Sequence, residues 1–181
     1  RVREELRKVL KRAAEAVERV LRKNEEVLRR AEERIRRLLE ENEKSLEKVE
    51  RDVTRILEGG IDSREVTELL RRLRKSSDDL KRRLRKVLED IERSSRDLVR
   101  RVRKLLEELE RRVREIEKKP VDEEKVKKLI REIEEVIDRL RRESEKHIEE
   151  IKEIITRLDK EVKDHDERLK REVDKLEERA R

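Results

Sequence analysis

Cysteine, methionine, phenylalanine, tyrosine and tryptophan are all missing from this chain, and its 181 residues include only two glycines and one proline. Without cysteine there is no disulfide framework and no thiolate metal site. Without aromatic rings there is no platform on which single-stranded nucleic acid could stack. With so few breakers, long helices are the only reasonable reading. No apolar run approaches the roughly 20 residues that cross a bilayer, and no signal-peptide core is visible. The chain is therefore expected to be soluble.

What remains is 59% charged and 31% hydrophobic. Such a balance ordinarily implies disorder. The pattern overrides it, because the apolar residues are almost all Leu, Ile and Val at strict helical spacing. The net charge of +7 resembles a nucleic-acid signal until it is divided. Residues 59–119 carry the basic excess, and residues 120–181 are acidic on balance. Neighbouring helices of opposite sign attract, which helps to fix which faces meet. Neither a nucleic-acid motif nor an aromatic groove accompanies the charge, so no nucleic-acid partner is expected.

Two segments break the helical pattern. In Glu58-Gly59-Gly60-Ile61-Asp62-Ser63 the glycines close one helix. Asp62 caps the next, Glu65 completes a capping box, and Ile61 with Val66 forms a hydrophobic staple. In Lys118-Lys119-Pro120-Val121-Asp122 the proline stops the second helix and Asp122 caps the third, with Val121 and Val126 as a second staple. Both turns are short, so consecutive helices are expected to run antiparallel. The spacing thus predicts an all-α fold: a single antiparallel three-helix bundle over residues 1–181, with helices at 1–58, 63–119 and 123–181. Each helix would be about 85 Å long, at 1.5 Å per residue, in a narrow rod with one continuous core.

The rows of apolar residues repeat every 18 positions: Val2, Val20, Leu38 and Ile56 in the first helix, Leu70, Leu88 and Leu106 in the second, and Leu140, Leu158 and Leu176 in the third. Eighteen residues make five turns of 3.6, so the rows stay on one face without supercoiling and the helices are expected to be nearly straight. Residues 75–92 and 93–110 agree at 11 of 18 positions. Natural solenoid repeats are helix–turn–helix units, whereas this one lies inside one helix.

The polar interruptions follow the same interval. Asn24 and Asn42, Ser76/Ser77 and Ser94/Ser95, and His147 and His165 are matched pairs. Counting back from each turn places Asn42, Ser76/Ser77 and His165 at one level and Asn24, Ser94/Ser95 and His147 at another. Asn24 and Asn42 lie at the centre of the first helix's apolar face, the histidines toward one side of theirs, and Ser76 and Ser94 at an edge. Ser144 is expected to join the His147 level and Ser45 to reach the other. Asn, Ser and neutral His together supply donors and acceptors enough to satisfy one another without water. Such layers fix which helix faces which, and in what register.

The 18-residue rows, the capped turns GGIDSRE and KPVDEEK, the Arg/Lys/Glu surface and the purely aliphatic core resemble de novo designed helical bundles, specifically straight parametric bundles with buried hydrogen-bond networks. The resemblance covers the whole chain. It implies a recombinant cytoplasmic product with no cofactor and no required partner. Within that family, buried histidine networks make assemblies respond to acid, which implies such a role for His147 and His165. The members that do so are mostly oligomers, whereas three linked helices can close a core alone.

Several activities find no support in the residues. Cysteine nucleophile and Gly-rich phosphate loop are both missing. The one serine–histidine proximity is expected inside a packed core with no substrate cleft, so the chain is not expected to be an enzyme. The two histidines are too far apart to share a metal ion. A membrane-surface role is not expected, since the apolar faces are already committed. The leading expectation is a structural scaffold whose Asn/Ser/His layers fix helix register. The alternatives are an acid-responsive module, and an interaction component that self-associates or accepts a partner helix.

Overall fold

Leu, Arg, Lys and Glu, all strong helix formers, dominate the chain between its two turns, and three α-helices result: α1 (Val2–Glu58), α2 (Ser63–Glu117) and α3 (Glu123–Ala180). The computed structural model describes residues 1–180, and no strand occurs among them. Arg181, the last residue of the expected third helix, lies outside the described residues. The fold is an all-α three-helix bundle.

At the first turn Gly60 takes the left-handed conformation, with φ of 95°. A side chain would be strained there. The N–H groups of Gly59 and Gly60 reach the carbonyls of Ile56 and Leu57, at 3.0 and 3.2 Å. Asp62 caps α2, its carboxylate accepting the Arg64 N–H at 3.0 Å, and Ile61 packs with Val66 in one hydrophobic cluster. The Glu65 carboxylate receives Arg179 of α3 rather than closing a reciprocal capping box.

The second turn departs further from expectation. Helix α2 ends at Glu117, two residues short of the anticipated end. The ring of Pro120 disfavours helical geometry at the residue before it. The Lys119 carbonyl accepts Arg3 Nη2 at 2.8 Å. Asp122 caps α3 through the Lys125 N–H at 3.4 Å. Val121 does not act as a staple, being 55% exposed. Its intended mate, Val126, is turned into a core of Leu6, Val113, Leu129 and Ile133 instead.

The chain forms two compact units, each containing part of all three helices. Unit 1 comprises Arg1–Arg29 and Ile91–Ile151, and unit 2 comprises Arg30–Asp90 and Lys152–Arg181. In unit 2, Glu50 pairs with Arg74 and Glu43 with Lys81, so α1 and α2 run antiparallel. Glu161 pairs with Arg83 and His165 with Ser76, which sets α2 and α3 antiparallel too. In unit 1, Arg7–Glu117 with Asn24–Ser95, and Arg112–Glu132 with Ser95–His147, show the same directions. These exposed pairs contribute little stability individually. Each unit holds itself together through its own aliphatic interior: Val49, Val53, Leu73, Leu169 and Leu176 in unit 2, and Leu6, Val9, Leu109 and Ile133 in unit 1, with Val17, Leu98 and Leu140 beyond. Burying a Leu or Val side chain contributes about 1.5–3 kcal/mol, against which each buried polar residue must find a partner.

Candidate functional site

Among the described residues seven polar side chains are buried: Asn24, Asn42, Ser77, Ser95, Ser144, His147 and His165. The least covered is His147, at 8% exposed. Ser45 and Ser76 are half-buried, and Ser94 is exposed.

In unit 1, Asn24 donates through Nδ2 to the Ser95 backbone carbonyl at 3.2 Å. The Ser95 hydroxyl shares a hydrogen bond of 3.3 Å with His147 Nε2. A single serine thus links α1 to α3, using its carbonyl toward one and its hydroxyl toward the other. Ser94 points outward and takes no part.

In unit 2 the roles are divided. Asn42 Nδ2 donates to the Ser77 carbonyl at 3.0 Å, but His165 Nε2 pairs with the hydroxyl of Ser76, at 2.7 Å. The Ser77 hydroxyl has no hydrogen-bond partner among the described residues. Nor do the side-chain oxygens of Asn24 and Asn42. Ser45 donates to the Asp166 carboxylate, which also receives Lys170 at 3.7 Å.

The asparagines bond backbone carbonyls, which sequence reasoning did not consider. A helix carbonyl engaged by its own i+4 N–H keeps a second lone pair. Asp166 was also missed, because its neighbour His165 occupies the inward face. A signal did exist in the 18-residue register. Where unit 1 has Val27 and Ile148, unit 2 has Ser45 and Asp166, so both positions turn polar together. Conversely, Ser144 in unit 1 corresponds to Val162 in unit 2.

The register has a third, apolar copy. The positions of Asn24 and Asn42 recur at Leu6, those of Ser95 and Ser77 at Val113, and those of His147 and His165 at Leu129. Leu6, Val113 and Leu129 lie in one hydrophobic cluster of unit 1.

Both histidines are held below their ordinary pKa, and burial is the main cause for each. At His147 the Glu150 carboxylate opposes burial and Arg101 adds to it. At His165 Arg168 adds to burial and Asp166 opposes it. A neutral imidazole has one donor and one acceptor, whereas the charged form has two donors. Where the neutral ring accepts at Nε2, protonation obliges the partner serine hydroxyl to turn and accept. Ser76 sits in a cleft of about 530 Å³ with His165, so this pair is not enclosed in the manner anticipated from the sequence. Among the described residues no group of three His, Cys, Asp or Glu side chains is arranged to hold a metal ion, and no helix is long and apolar enough to cross a membrane.

No protein-family model, curated protein or solved structure matches the chain.

Proposed function

We propose that the chain is a designed structural scaffold whose buried Asn/Ser/His layers fix the pairing and register of its helices. One observation carries the reading. The same three core positions, one on each helix, are Leu6, Val113 and Leu129 in one copy and Asn, Ser and His in the other two. An aliphatic core packs in several registers at similar cost. A layer of hydrogen-bonding groups makes a slipped register expensive, because it strands buried donors and acceptors. The segment duplicated within α2 and the capped turns agree with deliberate construction.

The test copies the apolar layer onto the polar ones: Asn24→Leu, Ser95→Val and His147→Leu together with Asn42→Leu, Ser77→Val and His165→Leu. This variant is expected to resist guanidinium at least as well as the parent, since apolar replacement of a whole buried polar set is often neutral or stabilising. It is also expected to lose uniqueness, seen as broadened or doubled amide resonances or as association in light scattering. A variant that is plainly less stable yet monomeric, with one sharp set of resonances, would rule the register role out.

A second reading, an acid-responsive module, is favoured by the burial that lowers both histidine pKa values. A base whose folded pKa is depressed adds stability that is fully present above its unfolded value of about 6.5 and is lost as pH falls through the folded value. Denaturation midpoints are therefore expected to drop between pH 7.5 and pH 5. His147→Asn with His165→Asn is expected to shrink that drop. Equal losses in parent and double mutant would show that the histidines serve structure alone.

A further inference from the structure

Two buried atoms of the unit 2 layer, Asn42 Oδ1 and Ser77 Oγ, have no hydrogen-bond partner among the described residues. Asn42 is only 5% exposed. Its Nδ2 is committed to the Ser77 carbonyl, so Oδ1 is fixed as the free acceptor. A buried polar atom left unpaired is destabilising, so a site that can pair it favours an occupant.

Asn42 is also part of the wall of a cleft of about 560 Å³ between α1 and α3 of unit 2, together with Ser45, Val162, His165 and Asp166. The cleft is polar at its mouth because Ser45 and Asp166 replace the Val27 and Ile148 of the other copy. The corresponding cleft of unit 1 is about 280 Å³ and is lined by Ala16, Lys23, Arg141, Ser144 and Glu145. It reaches Ser144, and neither Asn24 nor His147 is among its lining residues. There the Ser95 hydroxyl is engaged by His147, and Asn24 Oδ1 is the fully buried side-chain atom of that layer left without a partner among the described residues.

We propose that the polar layer of unit 2 contains a specific water-binding site, in which a water entering by the α1–α3 cleft donates to Asn42 Oδ1, while the layer of unit 1 stays dry. A buried water needs two to four polar partners and room for one probe sphere. Unit 2 offers Asn42 Oδ1 and Ser77 Oγ, with Ser45 and Asp166 at the entrance. In unit 1 Asn24 is not among the residues lining the cleft that reaches Ser144, and Val27 stands where unit 2 has Ser45. The ligand class follows from the atoms. Asn42 Oδ1 accepts only, so the occupant must be a donor. It must be small enough to lie beside packed aliphatic side chains, and neutral because the five cations lining the same cleft outnumber its three carboxylates, Glu41, Asp159 and Asp166.

The experiment compares the two asparagines in the full chain. A high-resolution crystal structure is expected to show a water about 2.7–3.2 Å from Asn42 Oδ1 and none at Asn24 Oδ1. In solution, the Asn42 side-chain amide is expected to show cross-relaxation to long-lived water, and the Asn24 amide none. The variant Ser45→Val with Asp166→Ile copies the unit 1 flank and is expected to abolish the Asn42 signal. Should that variant fail to fold, the parent comparison decides alone. Water at both asparagines, at Asn24 only, or at neither would overturn the proposal.

Discussion

In unit 1 one serine satisfies two helices, and in unit 2 two serines share the work. Ser95 accepts Asn24 at its carbonyl and holds His147 with its hydroxyl. In the other layer Ser77 accepts Asn42, but His165 turns to Ser76. The residue types and their spacing are identical, so neither explains the difference. The flanks differ: Val27, Ser144 and Ile148 surround the first layer, while Ser45, Val162 and Asp166 surround the second. A repeat that places Cα atoms at matched angles does not fix which way a histidine ring turns. That choice belongs to the packing on either side of it.

The strongest way to break this comparison is to remove the Ser95 and Ser77 hydroxyls separately. Ser95→Val is expected to lower stability by about 1–3 kcal/mol, because a buried imidazole nitrogen loses its protein partner. Ser77→Val strands no protein group and is expected to cost markedly less. Valine fits both sites sterically, since the third copy carries Val113 in the core. Urea midpoints for the two variants would settle it: equal losses would mean that the two layers are wired alike in solution.

The outer serines give the reverse ranking with smaller effects. Ser76→Ala removes the partner of His165 at a half-buried position, where water can substitute in part, so a loss of about 0.5–1.5 kcal/mol is expected. Ser94 is exposed and makes no such bond. Ser94→Ala is expected to stay within about 0.5 kcal/mol of the parent. If Ser94→Ala proved the more damaging in thermal or chemical unfolding, the assignment of Ser76 to His165 would be wrong.

Periodicity alone made much of this legible. The helices, both turns, the caps at Asp62 and Asp122, and the inward positions of Asn24, Asn42, Ser77, Ser95, Ser144, His147 and His165 all follow from an angle of 100° per residue and from turn chemistry. What escaped it has a common cause. Ser76 and Ser77 are adjacent, so they straddle the edge of the buried face, and side-chain direction chooses between them. The asparagine partners are backbone carbonyls, which every residue carries and no pattern marks. Val121 satisfies the sequence rule for a staple, yet Val126 is already claimed by Val113 and Leu129. Side-chain orientation and competition for the same surface are properties of the packed state.

The smallest difference between the layers concerns the order in which the histidines accept protons. Burial lowers both. At His147 the next influence is the Glu150 carboxylate, which favours the charged ring, with Arg101 of α2 opposing it. At His165 the next influence is Arg168, which disfavours the charged ring, with Asp166 opposing it. The Asp166 carboxylate is itself engaged by Ser45 and Lys170. Around His165, α2 contributes Arg72, Lys75 and Arg83 against Asp79, α3 adds Glu161, which pairs with Arg83, and Asp164, and α1 contributes Arg34, Lys44 and Lys48 against Glu41. His165 is also the less exposed, at 3% against 8%. His147 is therefore expected to titrate at the higher pH. Since each depressed pKa withdraws stability as pH falls through it, amide protection in unit 1 is expected to decline at a higher pH than in unit 2. Side-chain nitrogen spectra, assigned with His147→Asn and His165→Asn singly, would follow each ring, and His165 charging first would show that the local cations do not set the order.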